Sequence, residues 1–587
     1  MKDVQSELEQ RVKAAIVAAF GDEAVDADPV VRPAADAKFG DFQANGAMGL
    51  AKRLKRKPRE VAEAIVGALG NGGGLLEKVE VAGPGFINLT LSGATLSGAV
   101  AGLAGDETLG VGAGGGSGGQ KVVVDYASPN LAKEMHIGHL RSTIIGDALA
   151  RVFEAVGDTV VRQNHIGDWG TQFGMLLEHL IGSGWSVESA ESSGIADLNA
   201  LYQEAKKRDD SDPGFAERAR QRVVALQSGD AESRALWQGL IGESVRHMNA
   251  VFARLGVKLT DDDLCAESFY NDKLPAVCSD LEAAGIAERS DGALCVFGGG
   301  AGAERKEDET PLIVQKSDGG FGYATTDLAA VRYRVGELEA DRVVYVVDSR
   351  QREHFEKFFD AARRAGWVKD GVRLDYVSFG TILGPDRRPF KTREGGTVKL
   401  VDVLDEAVRR AGAVIAEKNP GLPSEERDGV AKVVGVGAVK YADLSNDRIK
   451  DYVFDYDRML ALEGNTAPYL QYSYTRVASI LRKAELAEDD ALAGEIAVGE
   501  PAERKLGLLL LRYGSVVASV GEALEPHRLC NYLYELAGAF HRFYEACPVL
   551  KAGDDGLVAS RLALSALTGR VIREGLGLLG IGVVERM

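Results

Sequence analysis

Residues 128–142, SPNLAKEMHIGHLRS, place His136 and His139 three positions apart around Gly138, with Lys133 just upstream. A histidine pair of this kind suits a metal site, a piece of core or a cradle for phosphate. Metal needs more ligands at a workable spacing, and His165, His179, His247, His354, His527 and His541 form no such pattern. No protein-bound metal is expected. The core reading would waste Gly138 in an interior helix position. Phosphate fits better, because a helix start that follows a strand carries unpaired N–H groups and a partial positive charge. Gly138 lets a nucleotide approach the backbone, and imidazoles donate hydrogen bonds as charge develops on a phosphate. The stretch therefore reads as a nucleotide site.

Such a site needs a strand before it and a helix after it, and both are legible. KVVVDY (121–126) is a β-branched run of buried-strand type. Leu140, Ile144, Ile145, Ala148, Leu149, Val152, Phe153 and Val156 follow at helical spacing, and DTVVRQ (158–163) is the next strand. Strand, helix and strand imply a parallel sheet with a right-handed crossover. DRVVYVVDS (341–349) and LDYVSFG (374–380) resume the strand pattern, so an insertion from about 190 to 320 splits the sheet. Its first part, 190–256, is charge-rich and helical.

The glycine run LGVGAGGGSGGQ (109–120) reads as a linker. Before it, residues 1–109 combine the amphipathic helix VQSELEQRVKAAIVAAF with the alternating strands KVEVAGPGFINLTLS, an α+β domain. The linker is placed at 110–120 and the sheet-bearing domain at 121–430. From about 430 the strands are expected to stop. NYLYELAGAFHRFYEA (531–546) puts Leu533, Leu536, Ala537, Phe540 and Tyr544 on one helical face, so residues 431–587 read as an all-α bundle.

The formal net charge of −18 is unfavourable for nucleic acid as a whole-chain average, but binding depends on local patches. AKRLKRKPRE (51–60) holds six basic residues and one acidic. The charged start MKDVQSELEQ excludes a secretory leader, and the apolar run LGLLLLRYGSVV is broken by Arg512, so no membrane span is expected. Five scattered cysteines (265, 278, 295, 530 and 547) point to a reducing cytoplasm without disulfides.

Several stretches together resemble one family. DYASPNLAKEMHIGHLRSTIIGDALARV (125–152) is similar to the first signature of class I aminoacyl-tRNA synthetases, in particular the arginyl group. AKFGDFQANGAMGLAKRL (37–54), NHIGDWGTQFGML (164–176), GYATTDLAAVRYR (322–334) and YVVDSRQREHFEKFF (345–359) carry the likeness along the chain. GNTAPYLQYSYTRV (464–477) and GLGLLGIGVVERM (575–587) extend it to the end. The resemblance implies a Rossmann-like catalytic sheet split by an insertion, an N-terminal RNA-contacting domain and a helical anticodon-binding domain. It implies that arginine and ATP, as its magnesium complex, give an adenylate whose arginyl group passes to the 2′-hydroxyl of the terminal adenosine of tRNA(Arg). A cytoplasmic monomer is the family's usual form.

By the same resemblance His136, Gly138, His139, Gln351 and His354 bind ATP. Tyr323 and Asp327, one helical turn apart, hold the guanidinium. Asp125, Ser128, Asn130 and Gln351 hold the amino-acid head. The second class I signature is degenerate here, at GPDRRPFKTREGG (384–396). The charge of the transition state is therefore given first to Lys133 and second to Lys391. Gln43, Asn45, Lys52 and Arg53 match the tRNA-contacting motif, and Tyr469, Tyr472, Tyr544 and Met587 are the anticodon candidates. Three rivals are a small-molecule adenylyltransferase, a non-catalytic RNA-binding paralogue and a synthetase for another amino acid. The first lacks RNA-binding appendages, the second would not keep His136, His139, Lys133 and Asp327, and the third would not carry YATTDLAA with the GDFQAN domain.

Overall fold

Short β-branched runs bounded by turn residues become strands here, and apolar residues at helical spacing become the helices laid over them. The structure is a computed structural model that describes residues 4–112, 119–131, 134–184, 198–298, 310–390 and 398–587. In the N-terminal unit β1 (Val31–Pro33), β2 (Phe42–Ala44), β3 (Leu76–Ala82) and β4 (Phe86–Leu91) form an antiparallel sheet in the order β1-β2-β4-β3. Helices Val4–Phe20, Gly46–Leu54 and Pro58–Leu69 bury Leu8, Val12, Ile16, Leu50, Val61 and Ile65 in its core. Proline at the first helical position of Pro58–Leu69 removes an N–H that would have had no partner.

The central unit opens with β5 (Lys121–Asp125), the helix Ile137–Ala155 and β6 (Thr159–Gln163). An insertion follows, with helices Leu198–Ser211, Pro213–Ser228, Ala231–Leu255 and Leu274–Ala283, and a small antiparallel sheet of β7 (Ala287–Ser290), β8 (Ala293–Val296) and β9 (Leu312–Gln315). The helix Thr171–Gly182 packs against Pro213–Ser228, so the helical body of the insertion begins before residue 190. Then β10 (Arg342–Asp348), the helix Arg352–Arg364 and β11 (Arg373–Phe379) complete a four-stranded parallel sheet ordered β11-β10-β5-β6.

Alternation along the strands assigns their two faces. Val122, Val124, Val344 and Val346 share a core with Ile144 and Ala148 of the first helix, while Val123, Val343 and Tyr345 pack with Phe355, Phe358 and Phe359 of the second. Helices cover both faces, and the strand order reverses between β5 and β10. In such a sheet the crevice at the carboxyl ends of those two strands is where a ligand sits.

Helices Leu400–Lys418 and Ser424–Leu444 lead into the C-terminal bundle of Ala467–Ala484, Pro501–Leu510, Tyr513–Ala523, His527–Ala546 and Asp555–Leu578. Strand pairing does not stop at 430. β12 (Ile382–Leu383) pairs in parallel with β13 (Tyr452–Val453), which at two residues is too short to show any periodicity in sequence. The run Pro501–Ala523 is long and apolar enough to cross a bilayer, yet it buries Leu506, Leu509, Leu510, Val517 and Val520 in this bundle.

Candidate active site

The turn after β5 is strained. Ala127 and Ser128 both adopt left-handed backbone (φ +66° and +42°), a region L-residues enter only where their surroundings fix them. Here the Ala127 N–H donates to Ser142 Oγ (3.0 Å) and the Ser128 N–H to Asn164 Oδ1 (3.0 Å). Asn130 is bridged to Gly167, where the Leu131 N–H donates to the Gly167 carbonyl (3.0 Å).

His136 is the N-cap. Its Nδ1 accepts the Gly138 N–H (3.1 Å), and His139 Nδ1 accepts the His136 N–H (3.1 Å), a reciprocal box usually built from hydroxyl and carboxylate side chains. The rings lie 4.0 Å apart. Because each Nδ1 is an acceptor, the neutral rings carry their protons on Nε2. The pair can thus cap the helix with one nitrogen and donate to a phosphate with the other. Gly138 has a second reason to be glycine: a Cβ there would lie 2.8 Å from His136 Cε1 and 2.9 Å from its Nδ1. The Ile137 N–H donates to the Val398 carbonyl and the Leu400 N–H to the Met135 carbonyl, both at 3.0 Å. The segment that follows the degenerate second signature is therefore stitched to the histidine turn. Lys133 and Lys391 themselves lie outside the described residues.

Beside the Ser128–Asn130 turn opens a cleft of about 880 Å³, lined by Asn130, Trp169, Glu267, Tyr323, His354 and Lys357 among others. Tyr323 and Asp327 stand one turn apart on the helix Tyr323–Arg332, with Tyr323 69% exposed. Asp327 Oδ2 lies 2.6 Å from His354 Nε2, and the Tyr323 ring packs 4.8 Å from the same imidazole. His354, expected with ATP, lines this cleft against Asp327, because the helix Arg352–Arg364 begins against the helix that carries Asp327. Gln351 is exposed at the start of that helix, outside the lining. Asp125 also departs from expectation. Its Oδ2 lies 2.8 Å from the buried Arg334 Nη2 and its Oδ1 accepts Ser128 Oγ–H (2.9 Å), so an internal ion pair takes up the carboxylate expected to meet substrate.

Glu267 is the residue that sequence reading missed. Burial pushes its carboxyl up to about 8, helped by the charges of Asp168 and Asp327. Burial also raises Asp168, against hydrogen bonds from Ser268 N–H (2.9 Å) and Oγ–H (2.5 Å). A buried carboxyl repelled by two others is relieved by a cation, and a planar guanidinium matches it best. Among 87 acidic residues no spacing singles Glu267 out, since only the fold brings it near Asp327.

Far from this site lie the candidates for nucleic acid. Gln43 Nε2 donates to Asn88 Oδ1 of β4 (2.7 Å), and Asn45 Oδ1 is buried with no hydrogen-bond partner among the described residues. Lys52 and Arg53 are exposed, the latter donating to the Glu23 carbonyl. In the C-terminal bundle Tyr472 and Tyr544 are 37% and 38% exposed, and the Arg476 guanidinium lies 5.3 and 5.5 Å from their rings. Tyr469 is half-buried with its hydroxyl 3.2 Å from His541 Nδ1, and Met587 is half-buried against the core.

Comparison with known proteins accounts for all three units. The family described as tRNA synthetases class I (R), catalytic domain, matches residues 113–456. Arginyl tRNA synthetase N terminal domain matches 6–91, and DALR anticodon binding domain matches 470–587. The chain is 52% identical to an arginine–tRNA ligase of Thermobifida fusca over the whole of both chains. To that of Frankia casuarinae it is 51% identical over 96% of each. Among solved structures, arginyl-tRNA synthetase from Plasmodium falciparum superposes with a TM-score of 0.83 at 29% identity, covering 100% of both chains. That of Thermus thermophilus does so with 0.80 at 26% identity, over 99% of this chain and 100% of that one. Likeness that runs from end to end, with three family models matching in order along the chain, has one meaning: the chain belongs to the class I arginyl-tRNA synthetase family.

Proposed function

We propose that the chain ligates arginine to tRNA(Arg) in two steps, as a cytoplasmic monomer. Arginine and ATP, the latter as its magnesium complex, give arginyl-adenylate and pyrophosphate. The arginyl group then passes to the 2′-hydroxyl of the terminal adenosine. Both steps need positioning and charge stabilisation more than covalent help. His136 and His139 donate Nε2–H to the phosphates, Gly138 lets the nucleotide close on the backbone, and Gln351 completes the nucleotide site. Lys133, and after it Lys391, offsets the negative charge that develops at the transferred phosphorus. Ser128 and Asn130 hold the amino-acid head. Gln43, Asn45, Lys52 and Arg53 meet the body of the tRNA, while Tyr472 and Tyr544 stack on anticodon-loop bases beside Tyr469 and Met587.

One observation carries the choice of amino acid: Glu267 lines the cleft with its carboxyl pushed up by burial and by the charges of Asp168 and Asp327, so a cation is favoured beside it. Lysine presents a point charge that cannot make the two parallel hydrogen bonds a guanidinium makes. The test is amino-acid-dependent pyrophosphate exchange across a panel, with and without tRNA. Exchange is expected with arginine alone among the amino acids offered. Exchange with lysine at a comparable kcat/KM, or none with arginine, would overturn the reading.

A further inference from the structure

The helix Tyr323–Arg332, having presented Tyr323 to the cleft and Asp327 to His354 on its wall, runs on into a π-helical turn, Tyr333–Glu337. Such a turn inserts an extra residue and re-aims the side chains within it, and it recurs at functional sites. Within it Arg334 is driven inward until it is 0% exposed. Its Nη2 lies 2.8 Å from Asp125 Oδ2 at the end of β5, and its Nε donates to Gln163 Oε1 at the end of β6 (2.5 Å). Its Cζ sits 5.0 Å from the centre of the Tyr345 ring on β10. One guanidinium thus joins three neighbouring strands close to their carboxyl ends. Apolar packing would serve stability at least as well as a buried ion pair, so geometry is the better account of why the charge is there.

That geometry passes directly to the substrate's end of the cleft. The other Asp125 oxygen accepts Ser128 Oγ–H (2.9 Å), and Ser128 Oγ accepts the His165 N–H (3.2 Å). Ser128 and Ala127 are the left-handed residues that must hold their shape for Asn130 to line the cleft. We propose that Arg334 is a positioning residue for the amino-acid head group: by pairing with Asp125 it holds the Ser128–Asn130 turn in the shape that receives the α-amino and α-carboxylate groups. It does this without touching substrate. The pairing also gives arginine only one direction of entry. A substrate with a cation at each end meets Glu267 and Asp327 at one end, the latter also touching His354, while at the other end the chain's own guanidinium already covers Asp125. This inference rests on the arginine-ligating reading of the same site.

The test uses the full chain as wild type, R334Q, R334K and the isosteric D125N. Pyrophosphate exchange gives KM for arginine and ATP, and n-butylguanidine, which has the guanidinium but no amino-acid head, serves as a competitive probe. R334Q and D125N are expected to raise the arginine KM by at least about tenfold while the ATP KM stays within about threefold. The inhibition constant of n-butylguanidine should stay within about twofold, and R334K should recover part of the loss. A merely structural role would move all three constants together, and that result overturns the proposal. So does an unchanged arginine KM in both R334Q and D125N. Should R334Q not fold, D125N decides alone, since it keeps the shape and removes only the charge. Wild-type protein inactive with arginine would bring down the functional reading and this inference with it, whereas an active wild type with silent variants brings down this inference only.

Discussion

A carboxyl group still gaining its charge near pH 8 is a weak anchor for a cation below that pH and a strong one above it. Glu267 is such a group, pushed up to about 8 from an ordinary 4.5 by burial and by Asp168 and Asp327. The sign follows from linkage. Its folded value lies above its unfolded one, so its contribution to stability is complete below about 4.5 and is lost as pH rises through about 8. Bound guanidinium reverses that loss, since it keeps its charge throughout and favours the ionised form. The arginine KM is therefore expected to fall as pH rises from about 6.5 to 8, by at most about tenfold per unit. E267Q should flatten this dependence and raise the KM throughout. A flat profile in the wild-type enzyme, measured by exchange at saturating ATP, would count against Glu267 as the anchor. Residues of this kind mark the limit of what a sequence shows. His136 and His139 are legible because their relation is local, three positions on one helix. Glu267 and Asp327 are sixty positions apart and meet only across the insertion.

At the scale of elements, the helix Ile137–Ala155 joins stability to chemistry through its first residues. His136 and His139 satisfy backbone donors that a helix start leaves bare, work that serine or asparagine usually does. Cap and catalyst can be separated because asparagine caps well but has no imidazole. H136N is expected to melt close to wild type while losing about a hundredfold in the rate of exchange. G138A should do the reverse in part: its Cβ displaces the His136 ring, loosening the helix start by about 1 kcal/mol and slowing exchange as well. Thermal melts beside exchange rates on the two variants check this, and equal loss of stability in both would mean the imidazoles serve the fold alone. The strand–helix–strand pattern around this helix was readable because β5 and β10 are buried valine-rich runs and β6 carries a β-branched core of the same kind. The π-turn at Tyr333 and the two-residue β13 were not, since neither has a periodicity for a sequence to display.

Across the whole molecule, the units are fastened by a few buried polar contacts that no local pattern announces. Lys440 Nζ donates to the Leu255 carbonyl (2.8 Å) at the end of the insertion's helix Ala231–Leu255 and to the Gly580 carbonyl (2.7 Å) near the C-terminus. The N-terminal unit is held by Arg504 of the C-terminal bundle. Its Nε lies 3.1 Å from Asp41 Oδ1, and its Nη2 donates to the other Asp41 oxygen and to the Leu91 carbonyl (2.7 Å). A second tie is the Val498 N–H on Ser97 Oγ (2.9 Å). Asp41 lies in the same GDFQAN motif as Gln43 and Asn45, so the contact that docks the unit also sets where its basic face, Lys52 and Arg53, stands relative to Tyr472 and Tyr544. If those two patches meet the tRNA as proposed, a chain with a net charge of −18 gains little from loose attraction to RNA and is expected to depend on the spacing at which they are held. R504M leaves the Asp41 carboxylate buried with no cation, at a cost to docking of roughly 1–3 kcal/mol. The KM for tRNA should rise about three- to tenfold in R504M, with the arginine and ATP constants of exchange within about twofold of wild type. Adding D41N should return part of the loss, because the stranded charge goes with it. If the tRNA KM stays at the wild-type value while Tm falls, Arg504 only stabilises the assembly, and the spacing of the two patches is set elsewhere.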